Sequence, residues 1–437
     1  MEARGRNFSR ESARASGSLT MDVLFLCHRI PFPPNKGDKI RSQALLTHLA
    51  RNHRVHLACF VDDPADMVHC DAVRKIARGE CIFLPLTSTR KWMRAATACI
   101  KGQPITTTYL NCRRLHRWIG ALVSTQRIDC CFVFSSGMAS YLLRGSELDS
   151  AHAILDMVDL DSDKWRQYAK VMSFPQRWIF GREAERLERF ERAAAAEFGA
   201  TILVSGYEAD SFRRIAPESS DRIFAITNGV DLDYFTPGKF VNPFSPGEVP
   251  VVMTGRMDYR PNIDAVEWFA REVLSRLKSK LPGVRFHAVG ALPPRRWRGN
   301  NAPDVSVSED VYDVRPYIQH AACVVAPLRI ARGIQNKLLE AMAMARPLVA
   351  THEATRSLAV QPGLELLVEN DADAFATAVA MAMGRSDLGE NARRYVEQYH
   401  NWQRNLVELD HIMAAVAESR RPPADVRKQF AIAEPAQ

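Results

Sequence analysis

Several familiar signatures are missing from these 437 residues, and each absence narrows the chemistry. No apolar run reaches the roughly 18 residues that a membrane-spanning helix needs. No Gly-x-Gly-x-x-Gly follows the first apolar run and no Walker loop occurs, which argues against a dehydrogenase and a P-loop NTPase. There is no His-Glu-x-x-His and no Cys/His cluster with metal-ligand spacing, so no metal site is expected. Nine cysteines include no Cys-x-x-Cys pair, and most lie in apolar runs such as HLACFV (Cys59) and DCCFVF (Cys130, Cys131). That is the usage of buried free thiols in a reducing compartment, and the expected location is the cytoplasm. The first 20 residues are charged and serine-rich without the apolar centre of a secretory signal. They read as a disordered tail, or as an extension ahead of a second start at Met21. Residues 419–437 read as a second tail.

Negative charge is absent from one long stretch. Between Cys81 and Gly120 there is no Asp or Glu, against Arg90, Lys91, Arg94, Lys101, Arg113, Arg114 and Arg117, in a chain of net charge +8. Such a block attracts anions, although a solvated basic face with no partner is an equal alternative. Trp92, Tyr109 and Trp118 lie within it. Basic and aromatic residues together suit the inner face of a membrane, so peripheral contact there is the expectation, with no nucleic acid as partner.

What is present is alternation. Apolar runs of strand length (MDVLFLCH, VHLACFV, CIFLPL, CCFVFSS, AHAILDMV, ATILVS) are separated by helical patterns. Strands apolar on both faces and interleaved with helices indicate a parallel sheet covered on two sides. Pro175 is expected to divide a helical region in two, and the Glu–Arg alternation of GREAERLERFERAAAAEFG reads as a salt-bridged, exposed face. Residues 236–250, TPGKFVNPFSPGEVP, hold four prolines and no periodicity and are the expected linker. The alternation then restarts with VPVVMTG, VRFHAVG, ACVVAPL and RPLVAT. The expectation is an α/β chain with two Rossmann-like parallel-sheet domains, 21–235 and 251–400. A helix at 401–418 is expected to return to the first.

Ligands of open parallel sheets bind beyond the carboxyl ends of the strands. Four loops there carry candidate chemistry. In ARGIQNKLLEAMAMARP, Gly333 permits close backbone approach and the amides that follow open a helix, a ready anion site. Lys337 in the first turn works against the helix dipole, a cost that a bound anion offsets. Glu340, one turn on, is a carboxylate on a helix apolar nearly all round; a vicinal diol would give it two hydroxyl donors, against the plainer alternative of a Lys337–Glu340 surface pair. In TGRMDYRPN, Gly255 relaxes the strand end and Arg256 can present a planar fork to phosphate, with Arg260 a weaker candidate. ITNGVDLDYFTP carries an Asn-Gly turn. PPNKGDKIRS sets Lys36, Gly37, Lys39 and Arg41 around a loop before a helix.

The order of these motifs, NGVD-x3-F-x-P, then strand-Gly-Arg, then Gly-x3-Lys-x2-Glu, resembles the retaining GT-B glycosyltransferases of glycosyltransferase family four. The resemblance covers the chain from Met21 to about Arg404. More narrowly, PPNKGDKIRS, FVDDPAD, DLDSDKWRQYA, TGRMDYRPNIDAV and GIQNKLLEAMAMARP resemble the sugar transferases associated with PEP-CTERM/exosortase exopolysaccharide loci. The resemblance implies a GT-B fold, with a nucleotide-sugar donor on the second domain and a glycan or lipid-linked acceptor on the first. Arg256 and Lys337 would neutralise the diphosphate, helped by backbone amides near Gly333 and Gln335. Glu340 would hold the ribose, and residues 308–317 around Val311 the base. The sugar would lie between Arg332–Ile334 and the loop of Lys36, Gly37, Asp38 and Arg41. No cofactor is implied, the nucleotide sugar being a substrate.

Two positions depart from the family pattern. Its paired glutamates stand eight positions apart, and eight before Glu340 is Arg332. Its histidine at a first-domain strand end matches Val158, with Asp156, Asp159 and Asp161 beside it; Asp159 is the candidate for a polar active-site role. Two rival functions remain open at this point: a sugar-nucleotide 2-epimerase, which shares the layout and donor, and a non-enzymatic binder of anionic surfaces.

Overall fold

The computed structural model describes residues 20–86, 98, 102–143, 148–291, 297, 304–308 and 311–418. Both expected tails lie essentially outside these residues, as do Arg90, Lys91, Trp92, Arg94 and Lys101 of the basic block.

Two parallel sheets organise the chain. The first contains β1 (Asp22–Cys27), β2 (Arg54–Val61), β3 (Arg78–Pro85), β4 (Cys130–Phe134), β5 (Ala153–Val158), β6 (Ala200–Leu203) and β7 (Ile223–Ala225), in the order β3-β2-β1-β4-β5-β6-β7. The second contains β8 (Val249–Arg256), β9 (Val284–Ala291), β10 (Val305–Val307), β11 (Cys323–Ala326), β12 (Leu348–Ala350) and β13 (Leu367–Val368), in the order β10-β9-β8-β11-β12-β13. Each order reverses beside its first strand, β1 or β8, which opens a crevice at the carboxyl ends.

The apolar runs follow from two-sided burial. Val23, Phe25 and Cys27 of β1 enter one core layer while Leu24 and Leu26 enter the other, because successive strand side chains point to opposite faces. A third core fills the second domain around Val251, Met253, Phe286, Val324, Leu338 and Leu339. The helix Val407–Ala417 lays Leu409, Ile412, Met413 and Val416 into the first-domain core, a spacing that puts them on one helical face.

The passage between domains lies earlier than the Pro-rich stretch. Val230 is already part of the second core, and so is Phe244 from within 236–250. His320 donates from Nε2 to the Phe240 carbonyl (2.8 Å), fastening this stretch to the second domain. Proline content marked a segment with no regular structure, which here wraps a domain instead of joining two. The crossing is at Asn228–Val230, and the returning chain runs alongside it: Val230 bridges Asn401 in parallel, and its N–H donates to the His400 carbonyl (2.8 Å). Burial pushes His400 down to about 4, so the neutral ring can donate from Nδ1 to the Asn228 carbonyl at 2.7 Å.

Pro175 separates the helices Asp161–Val171 and Gln176–Glu197. The second helix is not an exposed charged rod. Glu183 is buried and accepts from the Ile105 and Thr106 amides (2.7 and 2.9 Å), capping another helix; Glu191 is buried against the Ser162 amide (3.2 Å).

Candidate functional site

On the second domain the site is built from the ends of β8 and β9 and the start of the helix Asn336–Ala343. Gly255 (φ 144°) and Gly290 (φ 155°) are register partners, and a Cβ on Gly290 would stand 1.9 Å from the Gly255 carbonyl oxygen. Only glycine permits that approach. A Cβ on Gly255 would stand 3.1 Å from Lys337 Nζ, so the bare strand end is what admits the ammonium. Lys337 donates to Asn262 Oδ1 (2.5 Å), and Asn262 Nδ2 donates to the Arg256 carbonyl (2.7 Å). Asn262 thus ties the lysine to the end of β8. Burial pulls Lys337 down to about 8, with Glu340 acting upward; burial raises Glu340 to about 7, with Lys337 acting downward. Two groups of opposite charge therefore sit half-buried, one turn apart, with titrations drawn to neutral pH.

Arg256 presents its fork to Asp258 through Nε (3.1 Å) and NH2 (2.8 Å), a bidentate geometry that a phosphate could take over. Gln335 precedes the helix and its side chain donates to the Arg332 carbonyl (2.8 Å). The Val311 amide donates to the Gly290 carbonyl (3.0 Å), which seats the 311–317 segment beside β9. Ile334 is buried in the second-domain core. Arg260 lies outside this array: it is exposed, with NH1 3.6 Å from Met172 Sδ of the first domain.

Across the crevice, Gly37 lies against the helix Asn336–Ala343, its Cβ position 3.7 Å from Asn336 Nδ2. Lys36 reaches Asp62 (3.6 Å), which also takes Arg29 Nε at 2.8 Å. Asp38 is bound by His28 (3.2 Å) and by Arg29. Burial acts upward on Asp38, but His28 and Arg29 outweigh it and hold the carboxyl well below its usual range. Arg41 does not line the crevice. It is fully buried, with Nε on Asp156 (2.9 Å) and NH1 on the Ile226 carbonyl (2.8 Å) and Asn228 Oδ1 (2.9 Å). Asn228 Nδ2 then donates to Asn336 Oδ1 (3.2 Å), so Arg41 braces the crossing and the helix start from beneath.

Two sequence departures meet at the centre. Val158 ends β5 at φ 66°, a left-handed conformation that is strained for a β-branched residue. The turn it makes brings Asp159 against Gly333 (φ 57°), where a Cβ would fall 1.9 Å from Asp159 Oδ1. Asp159 is half-buried with its Oδ1 sealed from solvent; that burial, with the Glu208 charge, raises it to about 7. Arg332 crosses to the first domain, paired with Asp163 and with Glu208 (3.5 Å). With its amide oxygen turned inward, Gln167 accepts from Arg332 Nε at 2.8 Å. The Asp-Ser-Asp of residues 161–163 is occupied likewise, Asp161 by Lys164 at 2.9 Å and Asp163 by Arg332.

The structure therefore joins Gly255, Arg256, Lys337 and Glu340 on one wall, and Arg332, Gly333 and Asp159 across the crevice. It also adds residues that the motifs did not single out. Asn262 reads in sequence as an ordinary first-turn residue, and Gly290 as the end of a strand. Asp163, Gln167 and Glu208 become visible only once the two domains face each other.

Residues 248–384 match the family model described as Glycosyl transferases group 1. No curated protein matches the chain. Among solved structures, sucrose-phosphate synthase from Thermosynechococcus elongatus superposes with a TM-score of 0.67 at 17% identity, covering 91% of this chain and 100% of that one. Anabaena HepE in complex with UDP and glucose gives 0.56 at 12% identity, covering 90% and 100%. The UDP-forming α,α-trehalose-phosphate synthase from Burkholderia xenovorans gives 0.58 at 12%, covering 91% and 100%. The fold is GT-B, with two Rossmann-like parallel-sheet domains. The group 1 domain, which contains every second-domain site residue named above, indicates a glycosyltransferase.

Proposed function

We propose that the protein moves a sugar from a nucleotide-sugar donor to a glycan or lipid-linked acceptor, with retention and without a metal. The observation that carries this reading is the Lys337–Asn262–β8 array with Glu340 one turn on. A nucleoside diphosphate is the ligand that satisfies both ends of it: phosphate oxygens for the half-buried ammonium, ribose hydroxyls for the carboxylate. Anabaena HepE, of the same fold, was solved with UDP and with UDP-glucose, which supports that ligand class.

As the glycosidic bond breaks, negative charge collects on the departing diphosphate. Lys337, Arg256 released from Asp258, and the amides at the start of the helix Asn336–Ala343 oppose that charge where it grows. No cofactor is called for. Asp159, raised to about 7, keeps its proton in about half of the molecules at neutral pH and in that form can donate a hydrogen bond to the sugar or acceptor. Arg332, in place of the family's first glutamate, points to a donor-sugar contact unlike the usual carboxylate. The motif set PPNKGDKIRS, FVDDPAD and GIQNKLLEAMAMARP supports a role in exopolysaccharide assembly of the PEP-CTERM/exosortase type. The acceptor would then be carried at the inner membrane face.

The test is thermal stabilisation by a panel of nucleoside diphosphates and nucleotide sugars, with Lys337→Ala and Glu340→Ala beside the wild type. One nucleotide should stabilise the wild type, and both variants should lose at least about tenfold in affinity, the scale of one charge-assisted hydrogen bond. Affinity should peak at a pH between about 7 and 8, since Glu340 must be ionised and Lys337 protonated. Unchanged binding by both variants would overturn the assignment. Turnover of donor alone into an isomeric nucleotide sugar would instead establish the epimerase.

A further inference from the structure

The turn between the helices Asp161–Val171 and Gln176–Glu197 presents six consecutive exposed residues, Ser173 to Trp178, so the hairpin ends in a projecting tip. Its composition is unusual for a solvent-facing loop. Phe174 is 82% exposed, Trp178 61% and Val171 56%. These are not the residues that hold the hairpin together. Trp165 and Phe180 do that, with ring centroids 5.0 Å apart, and Tyr168 packs on both. Among the described residues neither Phe174 nor Trp178 stacks on another ring. From Lys164 to Arg182 there is no acidic residue and there are five cations. Lys164 and Arg166 are paired inward with Asp161 and Glu188, whereas Lys170 and Arg177 stand exposed at the tip. Arg182 NH2 donates to the Ala98 carbonyl (3.0 Å) and Glu183 caps residues 105–106. The hairpin thus adjoins a second stretch, 81–120, that also lacks acidic residues.

We infer that this tip docks the protein on an anionic lipid surface, with Phe174 and Trp178 entering the headgroup layer while Lys170 and Arg177 meet lipid phosphates. A projecting apolar tip that carries two exposed cations and no carboxylate of its own matches a flat anionic interface. An indole or phenyl ring is at home at that depth. The tip also lies at the crevice, since Met172 touches Arg260 of the donor domain. Docking there would set the open crevice at the plane where a lipid-linked acceptor is held. That last consequence rests on the glycosyltransferase reading; the docking itself does not.

The full chain is co-sedimented with phosphatidylcholine vesicles and with phosphatidylcholine/phosphatidylglycerol vesicles. Wild type is compared with Phe174→Ser/Trp178→Ser and with Lys170→Ala/Arg177→Ala. The wild type should bind the anionic vesicles and release them as salt rises. Removing both cations should weaken binding about 30-fold, at about 1 kcal/mol for each. Removing both rings should weaken it on both vesicle types. Nucleotide stabilisation, measured in parallel, should be the same in all three proteins. Failure of the wild type to bind anionic vesicles, or equal binding by either double variant, overturns the docking. Loss of nucleotide stabilisation in the wild type with vesicle binding intact overturns the enzymatic reading alone.

Discussion

Gly333→Ala gives the sharpest handle on how the two domains depend on each other. The residue has φ 57°, where an L side chain costs about 1–2 kcal/mol. The larger effect is steric. The new methyl would lie 1.9 Å from Asp159 Oδ1, 2.7 Å from its Cγ and 3.0 Å from its Oδ2. Ordinary contact requires a retreat of about 1.5 Å. Asp159 has little freedom to give way: its amide is held by the Met157 carbonyl at 2.9 Å, and its Oδ1 is sealed from solvent. The retreat therefore falls on the 332–335 loop and displaces the helix start that carries Lys337. A misplacement of about 1 Å costs roughly 100-fold in rate, so transfer should fall about that much, while the melting temperature shifts by only a few degrees, as about 1–2 kcal/mol implies. The assay is a double-mutant cycle with Asp159→Ala, read by nucleotide affinity and not by turnover, because Asp159 is itself a candidate catalytic group. Removing the Asp159 carboxylate should restore the nucleotide affinity of Gly333→Ala to within the backbone strain, about tenfold of wild type. If the double variant binds no better than Gly333→Ala, contact between the domains at this point does not shape the donor site.

Two further outcomes follow from buried polar groups. Asn262→Ala removes the acceptor for the Lys337 ammonium; it should lower turnover about tenfold, less than Lys337→Ala, and move the alkaline limb of the pH–rate profile to lower pH, since losing an acceptor disfavours the charged form. An unmoved limb would mean that Asn262 does not hold the ammonium. Burial raises Glu191 to about 8, so the folded chain keeps a proton that the unfolded chain releases; the stability this contributes is complete below about pH 4 and is lost as pH rises through about 8. Glu191→Gln keeps the acceptor without titrating, and its stability in urea should gain on the wild type's as pH rises, by roughly 5 kcal/mol between about pH 4 and about pH 9. Parallel curves would show that Glu191 is ionised in the fold.

The sheets were legible because burial on both faces writes long apolar runs. β7, β10 and β13 left no such mark: each is a strand of two or three residues at a sheet edge, too short for periodicity. Gly255, Arg256, Lys337 and Glu340 were legible because each sits at a strand end or in the first turns of a helix, where placement follows from local pattern. Arg41 was misread for the opposite reason. A basic residue beside a glycine loop suggests an anion, but its partners Asp156 and Asn228 lie 115 and 187 positions away. Arg332 was visible as a departure, and its consequence was not, since Asp163 and Glu208 belong to the other domain. The charged helix Gln176–Glu197 misled in the same way, because nothing local distinguishes Glu191, which is buried, from Glu185, which is exposed.

The chain passes between the domains twice, and the two passages are bonded to one another at Val230 and Asn401. Two segments tied side by side resist sliding past one another and resist swivelling, yet can bend. Such a pair has the form of an axle, a line about which the halves of the molecule could turn. A turn about that line would move the Arg332–Asp163 pair and the Gly333–Asp159 contact together, so the two would form and break as one.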